Sequence, residues 1–417
     1  MSDLSGFTPD RPLVLVTDYP PDTAGGGAVI LRSLLGPEDR ARIVWVTLAA
    51  PADPASAGRD GPVVVRPGVP ASPRRSQFLD CTRRAGPLAE GVLNVARRRG
   101  ARALWVLMHG AGVALGARLT RAGALPTHLT VHDDPAFGVA LRSRRYVALL
   151  PWIERDFAAA MRRATSVDVI GEGMADRYRR RYGVDPVIVH RGLREAVAAS
   201  PPYDRAAGGL RVGVLGNTYA YGQLVTLGHA IARAAGRLGV PGRLLVVGRS
   251  FGERLRTDLA GRAEVEVEVT GHVDEAEGIA RLRRCFLLYL NYPFSPLHRV
   301  LRRTSFPTKL STYALAARPI LVHAPGDSSV AGLDGSGGYV LPWRDDRVEA
   351  GAGLLSRAWA DPAADRSFHA EAERLRGRYY DYPTNRRTLL AALNALAAPA
   401  AAGHAAPGPS LQGVIDG

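Results

Sequence analysis

Short apolar runs recur along the first half of the chain, and the stretches between them carry apolar positions at helical spacing. Residues 13–17, 43–48, 63–65, 103–108, 128–131 and 166–170 each predict a short strand. Residues 25–35, 76–99, 112–121, 151–163 and 173–182 predict helices, the second of them broken at Gly86-Pro87. A strand apolar throughout is buried on both faces, so strands of this kind alternating with helices predict a parallel sheet covered on both sides. Residues 195–209 interrupt the rhythm with Ser200-Pro201-Pro202 and Gly208-Gly209, and read as a linker. The alternation then restarts. Strands are predicted at 210–215, 243–247, 265–270, 286–291, 320–323 and 339–341. Helices are predicted at 221–238, 251–260, 274–284 with Asp274 as N-cap, 308–317, 347–360, 364–380 and 384–397.

A chain of 417 residues has room for two domains at roughly 100–200 residues each. The reading is an α/β protein of two Rossmann-like domains, 1–200 and 201–380, whose parallel sheets face a central cleft. Residues 381–397 form a helix that packs back on the first domain, and 398–417, rich in Pro, Gly and Ala, form a disordered tail. The longest apolar runs, 103–108 and 285–290, fall far short of the about 20 residues that span a bilayer. The acidic and polar N-terminus carries no secretory signal. Cys81 and Cys285 are too few for a disulfide framework or a zinc site, which fits a reducing cytoplasm; Cys285 reads as a buried small hydrophobe.

The net charge is +15, and nearly all of the positive charge is arginine; Lys309 is the only lysine. Clusters such as Arg97–Arg99 and Arg177 with Arg179–Arg181 suit a peripheral contact with the anionic inner face of a membrane, at up to about 1 kcal/mol per basic residue. No basic motif interleaved with aromatic residues points to nucleic acid.

Ligands of open α/β sheets sit at the carboxyl ends of strands, so the loops there hold the candidate chemistry. Asp18-Tyr19-Pro20-Pro21-Asp22-Thr23-Ala24-Gly25-Gly26-Gly27 follows the first strand. Gly25, Gly26 and Gly27 leave unshielded N–H groups at a helix start, which favours an anion. His132 in Val131-His132-Asp133-Asp134-Pro135 stands where it can touch a sugar hydroxyl or a reacting oxygen, the alternative being a turn built by the two aspartates. His109 ends the preceding strand in the same way. Gly216-Asn217-Thr218 follows the first strand of the second half and forms a close-approach loop for a diphosphate, without the glycine spacing of an NAD site. In Ser305-Phe306-Pro307-Thr308-Lys309-Leu310, Thr308 or Ser305 caps a helix whose first turn holds Lys309. A cation there opposes the helix dipole, at a cost of roughly 0.3–1 kcal/mol, unless an anion binds beside it. Arg249 is a candidate second cation.

The order of these motifs resembles a family 4 (group 1) glycosyltransferase over about residues 12–397, most strongly through Phe306-Pro307-Thr308-Lys309-Leu310 and Ala316-Ala317-Arg318-Pro319-Ile320-Leu321. The Asp18–Gly27 loop followed by Arg32, and Val169-Ile170-Gly171-Glu172-Gly173-Met174 before Tyr182-Gly183, carry the first-domain part. The resemblance implies a GT-B fold and a retaining, metal-independent transfer from a nucleotide-sugar in polysaccharide or glycoconjugate synthesis, with no cofactor. It implies Gly25–Gly27 facing the donor phosphates or the acceptor and His132 near the transferred sugar. Gly216, Asn217, Thr218, Arg249, Thr308, Lys309 and Thr312 would contact the donor. The family's two glutamates are replaced here by Thr304 and Thr312, the second being the usual ribose contact, and Asn217 and Gln223 stand where a basic pair is common.

The residues agree with such chemistry. A leaving diphosphate gains charge, which preorganised N–H groups and a cation stabilise without a metal, and no Asp-x-Asp triplet is present. The acceptor, a carbohydrate, lipid-linked or small molecule, would meet loops 70–78 and 136–145. Two other readings are a non-catalytic GT-B partner protein that binds nucleotide or sugar, and a nucleotide-sugar epimerase using Glu172.

Overall fold

The computed structural model describes residues 3–19, 26–48, 63–65, 83–135, 144–216, 218, 220–248, 251–261, 263–333, 336–361 and 367–398. The first domain is built on strands β1 (Leu13–Thr17), β2 (Ile43–Thr47), β3 (Val63–Val64), β4 (Ala103–Leu107), β5 (Thr127–Val131), β6 (Ser166–Val169) and β7 (Val187–Ile188). They form one parallel sheet in the order β3-β2-β1-β4-β5-β6-β7. Every residue of β1, β4 and β5 is buried, because α1 (Gly26–Leu34), α2 (Pro37–Arg40), α3 (Ala85–Arg98), α4 (Gly112–Ala122), α5 (Arg144–Arg163) and α6 (Glu172–Tyr182) intervene between strands and cover the sheet. Strand order runs outward in both directions from β1 and β4, so the topological switch point lies between them.

The second domain repeats the plan with β8 (Leu210–Leu215), β9 (Gly242–Val247), β10 (Glu266–Val269), β11 (Leu287–Asn291), β12 (Ile320–His323) and β13 (Val340–Trp343), in the order β10-β9-β8-β11-β12-β13. Its helices are α7 (Arg205–Gly208), α8 (Tyr221–Leu238), α9 (Gly252–Leu259), α10 (Glu275–Leu282), α11 (Arg299–Thr304), α12 (Lys309–Ala316), α13 (Val348–Ala360) and α14 (His369–Tyr379). The switch point here lies between β8 and β11, which places Gly216, Thr218 and Asn291 at the crevice.

The last helix, α15 (Tyr382–Ala395), crosses back to the first domain and packs on α1, β6 and β7. Arg386 Nη1 lies 2.6 Å from Oδ2 of the fully buried Asp39, and Asn394 accepts from Gly6 N–H and donates to the Asp3 carbonyl, both at 2.9 Å. One apolar cluster accordingly runs from the first sheet through Tyr292, Phe306 and Tyr380 into the second domain.

Several local expectations change. Gly86-Pro87 does not break a helix; it lies in the first turn of α3, where proline's missing donor costs nothing. α5 runs straight through Pro151, so the proline is an interior residue rather than a helix start. The segment 195–209 contains α7, whose N-cap Asp204 accepts from Ala207 N–H at 3.1 Å. α2, β7 and α11 were not predicted; each is short, and half of α11 is arginine. Residues 76–82 and 399–417 lie outside the described residues.

Candidate active site

The first-domain half of the site grows from the carboxyl ends of β1, β4 and β5. Thr17 ends β1 with its hydroxyl accepting from Trp45 Nε1 at 2.8 Å and donating to the Tyr19 carbonyl at 2.5 Å, which turns the chain across the sheet edge. Asp18 then reaches His109 at the end of β4, Oδ2 to Nδ1, 2.8 Å. Gly26 and Gly27 open α1. A β-carbon on Gly27 would lie 2.9 Å from both His132 Nδ1 and Tyr19 Oη, so only glycine fits. Among the described residues, three buried polar atoms here lack a hydrogen-bond partner: Asp18 Oδ1, Tyr19 Oη and His132 Nδ1. Burial lowers the His132 pKa below the ordinary imidazole value and raises the Tyr19 phenol well above its own, so both are neutral at neutral pH. Such orphan groups, costly in a finished core, are what a hydroxyl-rich ligand would satisfy.

Asp134 is buried, accepts from the Tyr178 hydroxyl at 3.3 Å and pairs with Arg177 Nε at 3.4 Å, which ties the His132 loop to α6.

The second-domain half centres on the start of α12. Lys309 is its first residue, half-buried, and burial pushes its ammonium down to about 8. Thr308 is the N-cap but makes no side-chain cap bond, and Ser305 does not cap either: its hydroxyl lies 3.0 Å from the Tyr292 hydroxyl. The first amides of α12 therefore lack a side-chain cap, which is the condition for an anion site at a helix N-terminus. Tyr313 on α12 binds the ends of β8 and β11 together, accepting from Leu215 N–H at 3.0 Å and donating to the Tyr289 carbonyl at 2.8 Å. Gly216 has φ +65° and Gly248 φ +129°, and a β-carbon on Gly248 would sit 3.4 Å from Gly216 Cα, so these two strand-end loops touch through backbone. Thr218 is held by Asn291, its hydroxyl 3.0 Å from Nδ2. Thr312 is buried and donates to Glu275 Oε1 at 3.3 Å. That carboxylate, on α10, is gripped by both guanidinium nitrogens of Arg191 at 2.6 and 2.7 Å, which holds its pKa below the ordinary range. Glu275 was missed by sequence reading; nothing in its spacing marks it, since its relation to Thr312 exists only in the fold.

The two halves meet closely. A β-carbon on Gly171 would lie 3.4 Å from Phe306 Cβ, and one on Gly173 would lie 1.9 Å from the Arg303 carbonyl oxygen. His190 packs against Phe306 in a tilted arrangement, ring centroids 4.8 Å apart. These contacts bring the β6–α6 loop of the first domain against residues 303–306, immediately before Thr308 and Lys309. Gly25, Asn217 and Arg249, and loops 70–78 and 136–143, lie outside the described residues. Glu172 is exposed at the start of α6. Among the described residues, no three His, Cys, Asp or Glu side chains group to hold a metal ion. Cys285 is buried, its thiol pushed up to about 12 by desolvation, as a packed hydrophobe requires.

No protein-family model and no curated protein sequence matches the chain. Solved structures do. HepE from Anabaena, in complex with UDP and glucose, superposes with TM-score 0.64 at 16% identity over 92% of this chain and 100% of its own. Sucrose-phosphate synthase from Thermosynechococcus elongatus gives TM-score 0.65 at 15% identity over 91% and 97%. The lipopolysaccharide outer core galactosyltransferase WaaB gives 0.62 at 11% over 92% and 99%. With two parallel Rossmann-like sheets and a terminal helix returning to the first, the chain has the GT-B fold of these glycosyltransferases.

Proposed function

We propose that the chain is a glycosyltransferase that moves a sugar from a nucleoside-diphosphate sugar to an acceptor. The observation that carries this reading is the pairing of two features in a GT-B fold. One is the cluster of unpartnered polar atoms around Gly27; the other is the α12 N-terminus with Lys309. The structures of HepE with UDP and with UDP-glucose support a donor of this class.

In this reading the amides of Thr308 and Lys309 and the Lys309 ammonium receive the diphosphate, while the Leu310 N–H donates to the Pro307 carbonyl at 3.1 Å. Charge builds on the leaving phosphate as the glycosidic bond breaks, and fixed donors in a partly dry site stabilise it. An anion there also removes the penalty of a buried cation at the positive end of α12. Neutral His132 and Tyr19 bind hydroxyls of the transferred sugar. No nucleophile and no metal are required: the acceptor attacks on the face the leaving group departs from, with retention. Glu275 stands over Thr312 and supplies the ribose carboxylate that Thr312 itself lacks. No helix among the described residues is long and apolar enough to cross a membrane.

The reading is tested by incubating the protein with a panel of nucleotide-sugars and measuring released nucleoside diphosphate. Slow hydrolysis of one donor is expected, removed by Lys309→Ala. Tight donor binding with no release under any condition would mark a binding protein instead.

A further inference from the structure

A cavity of about 750 Å³ opens between the two domains, walled on one side by α6 and on the other by α11 and the loop after β12. Five guanidinium groups line it, those of Arg177, Arg180, Arg181, Arg299 and Arg303, against the carboxylates of Asp176 and Asp327. Those two carboxylates are already spent. Asp176 pairs with Arg179 at 3.0 Å, and Asp327 is shared by Arg299, Arg302 and Arg303 at 3.8, 2.6 and 2.9 Å, which holds its carboxyl below the ordinary range. Arg180 has no ion-pair partner among the described residues. The Ser328 hydroxyl lines the same cavity; Ser328 is 8% exposed and its Oγ is buried with no hydrogen-bond partner.

The position is informative. Arg177 on one wall pairs with Asp134, two residues beyond His132. Thr304 on the other wall directly precedes the loop that leads to Lys309. Lys309 and Thr308 are not among the lining residues, so the basin is beside the diphosphate locus rather than part of it.

We propose that this basin binds a phosphate monoester carried by the acceptor, so that the acceptor's reacting hydroxyl extends toward His132; the inference rests on the glycosyl-transfer reading above. On the α6 wall Arg177 and Arg181 are paired with Asp134 and Glu154, at 3.4 and 2.9 Å, which leaves Arg180, while on the α11 wall three arginines share the single Asp327. That surplus matches a dianion whose tetrahedral oxygens take N–H donors from both domains, and Ser328 supplies a further hydroxyl donor. A carboxylate has one charge and one plane, and leaves part of this donor set unused. Because each domain contributes cations, the ligand also draws the two walls together.

The test is calorimetric titration of the full chain with glucose 6-phosphate, glycerol 3-phosphate, glucose, UDP, and vesicles of phosphatidylglycerol in phosphatidylcholine. At least one phosphate monoester binds saturably, glucose does not, and affinity falls with added salt. Arg180→Ala and Ser328→Ala each weaken that binding about tenfold; Arg180 is exposed, so its variant stays folded. Lys309→Ala weakens UDP and leaves the monoester unchanged, so the two readings fail separately. The proposal is overturned if no monoester binds, or if Arg180→Ala changes nothing. It is overturned equally if Arg180→Ala weakens UDP as much as the monoester, or if vesicles bind through Arg180 and the monoester does not compete.

Discussion

A β-carbon on Gly27 would lie 2.9 Å from Nδ1 of His132. This single approach joins the first turn of α1 to the loop after β5, and with Tyr19 it frames the unpartnered atoms of Asp18, Tyr19 and His132. Gly27→Ala must therefore displace His132 or Tyr19. Displacement of this size in a reacting site costs on the order of 100-fold in turnover. Steady-state kinetics should show that loss with nucleoside diphosphate affinity retained, since the proposed diphosphate site lies on the other domain.

His132 is neutral because burial opposes its protonation. Lowered pKa means that the charged form appears only below the ordinary imidazole range. A pH–rate profile should then stay flat as pH falls through about 6.5 and drop only at more acid values. His132→Ala should lower turnover by about 10²-fold or more without moving the denaturation midpoint.

Lys309 titrates near 8 when the site is empty. Its folded pKa lies below the unfolded value of 10.5, so between these values the unfolded chain binds more protons and stability contributed by this residue rises with pH. Donor binding should have the opposite sign, because the proposed phosphate contact needs the ammonium. Relative to Lys309→Met, wild-type protein should gain stability as pH rises from 8 toward 10.5, while its advantage in UDP affinity shrinks over the same range. Denaturant titrations and calorimetry across that range check both slopes.

Glu275 reaches Thr312 Oγ1 while Arg191 of the first domain holds its carboxylate. If this carboxylate takes the ribose hydroxyls, Glu275→Gln should weaken a ribonucleoside diphosphate about tenfold, the worth of a charge-assisted hydrogen bond. A 2′,3′-dideoxy analogue should bind both proteins equally.

Asp39 is fully buried and is neutralised by Arg386 from α15. Arg386→Ala leaves that carboxylate without its cation, and equilibrium unfolding should show a loss of about 3 kcal/mol. Replacing Asp39 with Asn in the same variant should recover part of it.

The doubled architecture was legible because its cause is local. Short runs that are apolar up to their last residue, such as Leu13–Thr17 and Leu287–Asn291, read as buried strands when helical patterns flank them, and β1, β8, α8 and β12 fall where the pattern puts them. Gly27, His132 and Lys309 could be singled out because strand ends are where such folds bind ligands. What the chain order hides is pairing across the interface. Glu275 with Arg191 and Thr312, and the arginines of α6 facing those of α11, come from segments far apart in sequence. Ser305 was misread as a cap because its competing partner, Tyr292, becomes its neighbour only after β11 folds beside it.

The most direct measurement is calorimetric titration of UDP and UDP-sugars into wild-type protein and Lys309→Ala at pH 7. Saturable binding, weakened tenfold or more by the substitution, is the predicted result. Absence of binding by every nucleoside diphosphate tried, or equal affinity in the two proteins, would contradict a donor held at the start of α12.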